Sequence, residues 1–290
     1  VVGGGLYITT SQFGPNFYLG NNPFTDGTAG SLIAGRGSVE FERQDAVTLA
    51  ERAAGRTLTP GEVSSYWTGR AWAFITSEPG RWLMLLGRKT ALLWNTTEML
   101  DTESLESYAE WSTPVRVLGW VGHFGILVPL AAFGMWTLWP ERRRLWVIYA
   151  MTAAYAASVV MFYVFARYRF PLVPMLMLFA ASGVSSAIEL IRSRRQLFLT
   201  GAGAPPPART DADASPRLSM ASPRHGRRRF SLLPSPGQPL PPSLIIGLLA
   251  TSIMSNWPML STSVMRAVTE NNLATVLQAE GRVDEAVAHY

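Results

Sequence analysis

The chain has 290 residues, 48% of them hydrophobic and only 16% charged, with a formal net charge of +5. It has no cysteine, which excludes disulfides and thiolate metal sites, and its apolar residues gather into long runs that exclude an ordinary soluble domain. The charge is uneven: residues 1–114 carry 8 basic and 12 acidic side chains (−4), whereas residues 192–239 carry 9 arginines and 2 aspartates (+7). A basic stretch suits nucleic acid or, in a membrane protein, the cytoplasmic face. The apolar runs, and tryptophans near their edges, favour the second, so no nucleic-acid partner is expected.

In chain order, residues 1–38 are rich in Gly, Asn, Thr and Ser, with an alternating stretch near Gly5–Thr10 that predicts a strand and a turn-rich segment at Gly20–Gly27. Phe41, Ala46, Leu49 and Ala53 have helical spacing over 40–54. Thr59, Pro60 and Glu62 form a capping-box signature that opens a helix carrying Val63, Tyr66, Trp67, Ala71 and Phe74, and a second helix starts near Pro79. The segment 80–95 is too short and too charged at Arg88 and Lys89 to span a bilayer. It reads as a helix lying in the interface, with a core helix of the soluble segment as the alternative.

Four apolar runs follow, at about 117–139, 145–165, 170–191 and 241–260, each near the roughly 20 residues that a crossing needs. The basic loops at Glu141–Arg144 and 192–239 go to the cytoplasm by the positive-inside rule. Residues 1–114, the turn at Arg167–Arg169 and the C-terminal tail then face outward. Residues 193–240 have the composition of a disordered, basic, proline-rich linker able to touch anionic lipid. From 265 to 290, Leu273, Ala274, Leu277, Gly281, Val283, Ala286 and Tyr290 fall at the spacing of a tetratricopeptide repeat, which an ordinary helical hairpin shares. The expected organisation is an extracytoplasmic segment (1–114), a three-helix membrane region (115–192), the linker (193–240), a fourth span (241–260) and one truncated repeat. The fold class is mainly α and polytopic.

Arg167 and Arg169 sit in a tight turn between two apolar runs, beside Tyr168 and ahead of Pro171 and Pro174. Two guanidinium groups at one membrane face suit a phosphate or lipid headgroup; snorkelling anchors are the alternative. His123, among Gly119, Gly122 and Gly125, reads as an interface histidine, and Glu189 with Arg192 as a pair one helical turn apart. Glu98, Asp101, Glu103, Glu106 and Glu110 read as a solvated acidic face, Glu98 alone keeping a functional reading. The sequon at Asn95–Thr97 carries little weight. There is no metal-ligand spacing, and neither cofactor nor metal is expected.

Three segments occur in a fixed order: Gly20–Pro23 with Asp26 and Gly27; Arg88 and Lys89 with Trp94, Asn95 and Glu98; and Ala166–Pro174. Together they resemble the C-terminal half of bacterial polytopic glycosyltransferases of the GT-C class, the protein-mannosyltransferase-like group, some of which carry tetratricopeptide repeats. The resemblance covers most of residues 5–190 and the tail, and leaves the linker unmatched. It implies sugar transfer from a polyprenyl-phosphate-linked donor on the outer face of a bacterial inner membrane. Arg167, Tyr168 and Arg169 would then bind the donor phosphate, Arg88 and Lys89 the lipid headgroup region, and Asn21, Asn22, Asp26 and Glu98 would lie on the substrate side. The catalytic carboxylate of that group sits on an external loop expected ahead of Val1, and Asp26 is not taken as its substitute. The competing reading is a non-catalytic anchor that presents repeats to a protein partner, with a transporter a distant third.

Overall fold

The computed structural model describes residues 12–28, 30–33, 39–99, 109–110, 112–199 and 240–290. The chain is mainly helical, with no strand among the described residues, whose single β-bridge pairs Thr28 with Val164 in parallel. The strand expected near Gly5–Thr10, residues 200–239 of the expected linker and the acidic residues Asp101, Glu103 and Glu106 lie outside the described residues, while residues 193–199, expected to be disordered, continue the helix that starts at Leu172, whose period carries on past the membrane-length run.

Four helices form the first half: α1 (Phe13–Gly20), α2 (Val39–Ala54), α3 (Pro60–Ser77) and α4 (Pro79–Leu93). The capping box at the start of α3 is present: the Glu62 amide donates to Thr59 Oγ1 (3.4 Å) and the Thr59 amide donates to Glu62 Oε2 (2.8 Å). Two small cores join these helices. Ala46, Ala50, Val63 and Trp67 lock α2 onto α3, and Phe17, Ala71, Phe74, Ile75 and Leu85 lock α1, α3 and α4 together.

The second half holds α5 (Thr113–Val121), α6 (Phe124–Thr137), a 3-10 turn (Trp139–Glu141), α7 (Trp146–Met161), the one-turn α8 (Ala166–Arg169) and α9 (Leu172–Leu199). After the linker come α10 (Pro242–Asn256), α11 (Thr262–Ala279) and α12 (Val283–His289). Two stretches, Thr113–Thr137 and Leu172–Gln196, are long and apolar enough to cross a membrane. The first contains a break at Gly122 and His123, where α5 stops and α6 begins. The other two expected spans are apolar but shorter, 16 residues in α7 and 15 in α10. At about 1.5 Å per residue they fall short of a ~30 Å hydrocarbon core. Phe162 leaves helical geometry after α7 (φ −100, ψ −102), and Trp257 turns extended ahead of Pro258.

The bundle centres on α6, which packs along α9 and also against α10, while α7 packs on α4 and α9. The α6–α9 crossing is set by two glycines. A Cβ on Gly134 would lie 1.7 Å from the Phe179 carbonyl oxygen, and one on Gly183 2.4 Å from the Leu130 carbonyl oxygen. Missing side chains let the two backbones touch, the device that substitutes for hydrophobic driving force between helices in lipid. The main core runs from the end of α4 (Leu92, Leu93) and Met99 through Phe124, Val128 and Ala131 to Val164, Leu172, Leu176 and Phe179.

At the C-terminus, where a tetratricopeptide repeat was expected with an ordinary helical hairpin as the alternative, the structure has the helix pair that both readings share, α11 and α12. Gly281 takes the positive φ (80°) that the turn between them needs, and Ala274 and Ala286 are buried where the two helices interlock.

Candidate functional site

The turn between α7 and α9 separates its two arginines. Arg169 points inward and is 1% exposed. Its Nη1 donates to the Asn95 carbonyl at 2.6 Å and, at 3.4 Å, to that of Leu92; its Nη2 donates to the Thr97 carbonyl at 3.0 Å. The guanidinium lies 4.2 Å from the centre of the Phe124 ring. Burial lowers its pKa to about 10, with the Glu98 carboxylate working in the other direction, and the group stays charged at neutral pH. Arg169 is therefore a structural pin through the turn that follows α4, and its donors are not available to a headgroup.

Arg167, two residues earlier, is exposed and stacks over the rings of Phe165 (5.0 Å) and Tyr168 (5.4 Å). A single cation, rather than a pair, faces outward from this turn.

Beside it opens a cleft of about 380 Å³ lined by Phe13 and Asn16 of α1, Tyr155, Ser158 and Val159 of α7, and Phe162, Tyr163 and Tyr168 of the turn. Its walls are aromatic. Phe13 stacks on Phe17 and meets Phe162 edge-on, and Tyr163 lies 5.9 Å from Tyr168, ring centre to ring centre. The backbone is fixed where Tyr155 Oη donates to the Tyr168 carbonyl (2.9 Å). The Tyr163 hydroxyl donates to Asn16 Oδ1 (3.4 Å), and burial pushes its pKa well up, keeping it neutral. A half-buried carboxylate, Glu42 on α2, stands within electrostatic reach of both Tyr163 and Arg167; burial raises its pKa and Arg167 partly offsets that.

The remaining sequence-selected residues build the wall behind this cleft. Asn21 is fully buried with its polar atoms engaged: Nδ2 donates to the Phe17 and Met161 carbonyls (2.9 and 2.8 Å), and Oδ1 accepts from Trp82 Nε1 (2.9 Å) and Lys89 Nζ (3.3 Å). It ties α1, α4 and the end of α7 together, so a substrate has no polar atom of it to use. Asn22 donates to the Tyr18 and Leu19 carbonyls and accepts from the Phe24 amide, closing the turn after α1. Asp26 is exposed, but its carboxylate accepts from the Thr28 amide and hydroxyl (2.9 and 2.6 Å), and its carbonyl accepts from Arg88 Nε (2.7 Å). Glu98 is half-buried near Arg169, whose charge it supports. Of the pair assigned to a lipid headgroup, Arg88 is exposed on α4 and Lys89 is wholly buried beneath Gly27. α4 has two faces: Leu85, Lys89, Leu92 and Leu93 turn inward, while Leu83, Met84 and Arg88 turn outward.

Lys89 makes a clear pH prediction. Burial, with the Asn21 amide oxygen as its acceptor among the described residues, lowers its pKa from the usual 10.5 to about 7. Between those values the unfolded chain binds a proton that the folded chain does not. Stability therefore rises as pH climbs from about 7 to 10.5, by on the order of 3–5 kcal/mol, and this contribution is flat below 7. Lys89→Met removes the buried charge while Trp82 still satisfies Asn21. It is expected to raise the melting temperature in detergent at pH 7 by several degrees and to remove the alkaline gain; a lower melting temperature would contradict this account.

Sequence reasoning passed over two groups. One is the cleft lining, signalled by four aromatics (Phe162, Tyr163, Phe165, Tyr168) within seven positions. The other is a polar knot at the far side of Arg169. Asn95 Nδ2 donates to the Met254 and Trp257 carbonyls (3.3 and 2.8 Å), and the Thr96 amide donates to the Ser255 carbonyl (2.6 Å). Thr96 Oγ1 and His123 Nδ1 lie 2.8 Å apart, and Asn256 Nδ2 donates to the Gly125 carbonyl (3.0 Å). His123 is thus a connecting residue, and Asn256 helps dock α10 on α6. Among the described residues no cluster of His, Asp or Glu could hold a metal ion. No family model, curated protein or solved structure matches this chain.

Proposed function

We propose that this chain is part of a membrane-embedded glycosyltransferase that takes a sugar from a polyprenyl-phosphate-linked donor on the outer face of a bacterial inner membrane. The observation that carries the reading is the aromatic cleft of about 380 Å³ opening beside the exposed Arg167, at the end of the bundle where α7 finishes and α9 starts. An aromatic slot with a cation stacked on one of its lining rings, Arg167 over Tyr168, suits an amphiphile with a hydrocarbon chain and an anionic head. In the resembling enzymes the donor is such a molecule.

Under this reading α6 and α9 are full spans, α7 and α10 complete a four-pass bundle as shorter elements, and α4 rests in the interface with Leu83 and Met84 in lipid. The isoprenoid chain runs along Val159, Phe162 and Tyr155, and its phosphate meets Arg167. As the bond from the sugar to the phosphate oxygen breaks, negative charge grows on that oxygen and the guanidinium stabilises it. Arg169 acts only by holding the turn that presents Arg167.

Arg167→Ala is expected to lower sugar transfer from polyprenyl-phosphate donors in membranes by about 10²-fold, the scale of one lost charge-stabilising donor, while the protein still folds. Unchanged transfer would remove the phosphate role. A second reading, an anchor presenting tetratricopeptide-type repeats to a protein, is favoured by the apolar outer face of α11 and α12, where Val264, Leu273, Val276, Val283 and Val287 are exposed. It requires polar substitutions at Leu273 and Val276 to abolish function while Arg167→Ala does nothing.

A further inference from the structure

We propose that Asn16 on α1 recognises the sugar of the donor, its side-chain amide hydrogen-bonding a ring hydroxyl while the ring rests against Tyr163 and Tyr168. The inference rests on the amphiphile reading of the cleft and adds the side chain that tells a sugar-bearing phosphodiester from one without a sugar.

α1 turns one face to the end of α7. Phe13 and Phe17 meet the Phe162 ring at 5.6 and 5.9 Å, centre to centre, and a Cβ on Gly20 would fall 1.8 Å from the Phe162 carbonyl oxygen. On another side α1 is held by Ser64 of α3, whose Oγ accepts from the Gly14 amide (3.0 Å), so the helix cannot roll. Asn16, one turn before Gly20 and one turn after Phe13, is thereby fixed in the cleft wall, where it is half-buried. The Tyr163 hydroxyl donates to its Oδ1 at 3.4 Å, the one hydrogen bond of this side chain among the described residues. That bond sets which way the amide faces and leaves the two Nδ2 hydrogens for a ligand.

The rest of the lining narrows the ligand. No lining side chain is ionised, and Ser158 and Tyr155 commit their hydroxyl hydrogens to the Tyr155 and Tyr168 carbonyls (2.7 and 2.9 Å). A phosphate pressed against these walls would have no charge to balance it, so it belongs at the rim. A hydrocarbon chain gains nothing from the amide either: packed against Asn16 it would desolvate two donors without replacing their bonds to water. The chain follows Val159 and Phe162 instead. What remains at Asn16 is a neutral amide that both donates and accepts, beside the Tyr163 and Tyr168 rings, whose centres lie 5.9 Å apart. Aromatic walls with a few fixed polar atoms orient a ligand that is apolar on its faces and hydroxylated at its edge, the chemistry of a pyranose ring. Asn16 makes and breaks no covalent bond; it sets which head group the site holds.

The test uses the full chain in a detergent without a sugar head group and compares two probes of equal charge, glucosyl farnesyl phosphodiester and methyl farnesyl phosphodiester. The wild type is expected to bind the glucosyl probe about tenfold tighter, the scale of one or two hydrogen bonds between neutral groups. Asn16→Leu, close in size and without a polar atom, is expected to weaken the glucosyl probe to the level of the methyl one and to leave the methyl probe unchanged. Asn16→Ala serves if the leucine variant misfolds. A wild-type ratio retained in a folded Asn16 variant overturns the proposal, as does an equal loss of both probes, which would make Asn16 a structural residue. Equal binding of the two probes by the wild type also overturns it and leaves the cleft reading standing. Failure of the wild type to bind either probe overturns instead the cleft reading beneath it.

Discussion

Arg169→Ala is expected to abolish stable assembly of the bundle, whereas Arg167→Ala, two residues earlier, is expected to leave it folded. In the wild type the Asn95 and Thr97 carbonyls receive their guanidinium hydrogen bonds from Arg169, in a region closed to water by Leu92, Leu93, Met99 and Phe124. Stranding a buried acceptor costs roughly 1–3 kcal/mol, and charge-assisted bonds lie at the upper end. Loss of the stack on Phe124 adds about 2 kcal/mol in a desolvated setting. The total is a large share of the ~5–15 kcal/mol that holds an ordinary domain together. The damage spreads, because the same turn carries the Asn95 and Thr96 bonds that dock the end of α10. Arg169→Lys is expected to recover little, since a point charge on a flexible stem cannot serve several carbonyls held in different directions. Size-exclusion profiles and thermal unfolding of the two alanine variants in detergent check this. A monodisperse Arg169→Ala protein melting with the wild type would remove the structural role assigned to it.

Gly134→Val is expected to be the other severe change, by the opposite mechanism. The first atom of any side chain at 134 would sit 1.7 Å from a backbone oxygen of α9, where ordinary contact begins near 3.4 Å. A main-chain carbonyl inside a helix cannot rotate away, so α6 and α9 must separate along their whole contact. That opens the core between Val128, Ala131, Leu176 and Phe179. The loss is expected to exceed about 3 kcal/mol, beyond the usual range for overpacking because no flexible side chain is present to give way. Gly69→Ala on α3 is the contrast: nothing lies within 4 Å of its added Cβ, so helix propensity alone acts and stability rises slightly. Thermal unfolding of both variants in one detergent measures the difference. A Gly134→Val protein as stable as the wild type would show that the helices do not meet in this way.

Helix boundaries were the part most legible in the sequence, because their causes are local. Thr59, Pro60 and Glu62 satisfy one another across three residues, Gly281 supplies its own turn geometry, and the apolar period over 40–54 needs no partner to be recognised. The four long apolar runs were legible as runs; their lengths as helices were less so. Trp146–Met161 stops where Phe162 turns its backbone to pack against Phe13 and Phe17, a contact with a helix more than a hundred residues away.

The site was legible in outline and misdivided in detail. Sequence order brought Asn21, Arg88, Lys89, Asn95, Glu98, Arg167 and Arg169 to attention, and the fold gathers most of them at one end of the bundle. What order along the chain does not encode is direction. Arg167 and Arg169 are two residues apart in a one-turn helix, so they leave it on different sides: one toward Tyr168 and the open cleft, the other onto the carbonyls of Asn95 and Thr97. Lys89 and Arg88 part in the same way on α4.

The sequence alone thus determined a mainly helical chain, its long apolar runs, of which two fold as stretches long and apolar enough to cross a membrane, a capped helix opening at Pro60 and a turn at Gly281 near the end. Each rests on composition, period or a turn residue acting over a few positions. Only the tertiary structure decided which cation is buried and which is presented, that Asn21 and Asn95 are clamps, and that Phe13, Tyr155, Phe162, Tyr163 and Tyr168 come together as an aromatic cleft. Those outcomes depend on contacts between residues dozens to more than a hundred positions apart. Whether a polar group faces water or a backbone carbonyl is fixed by what the rest of the chain brings against it.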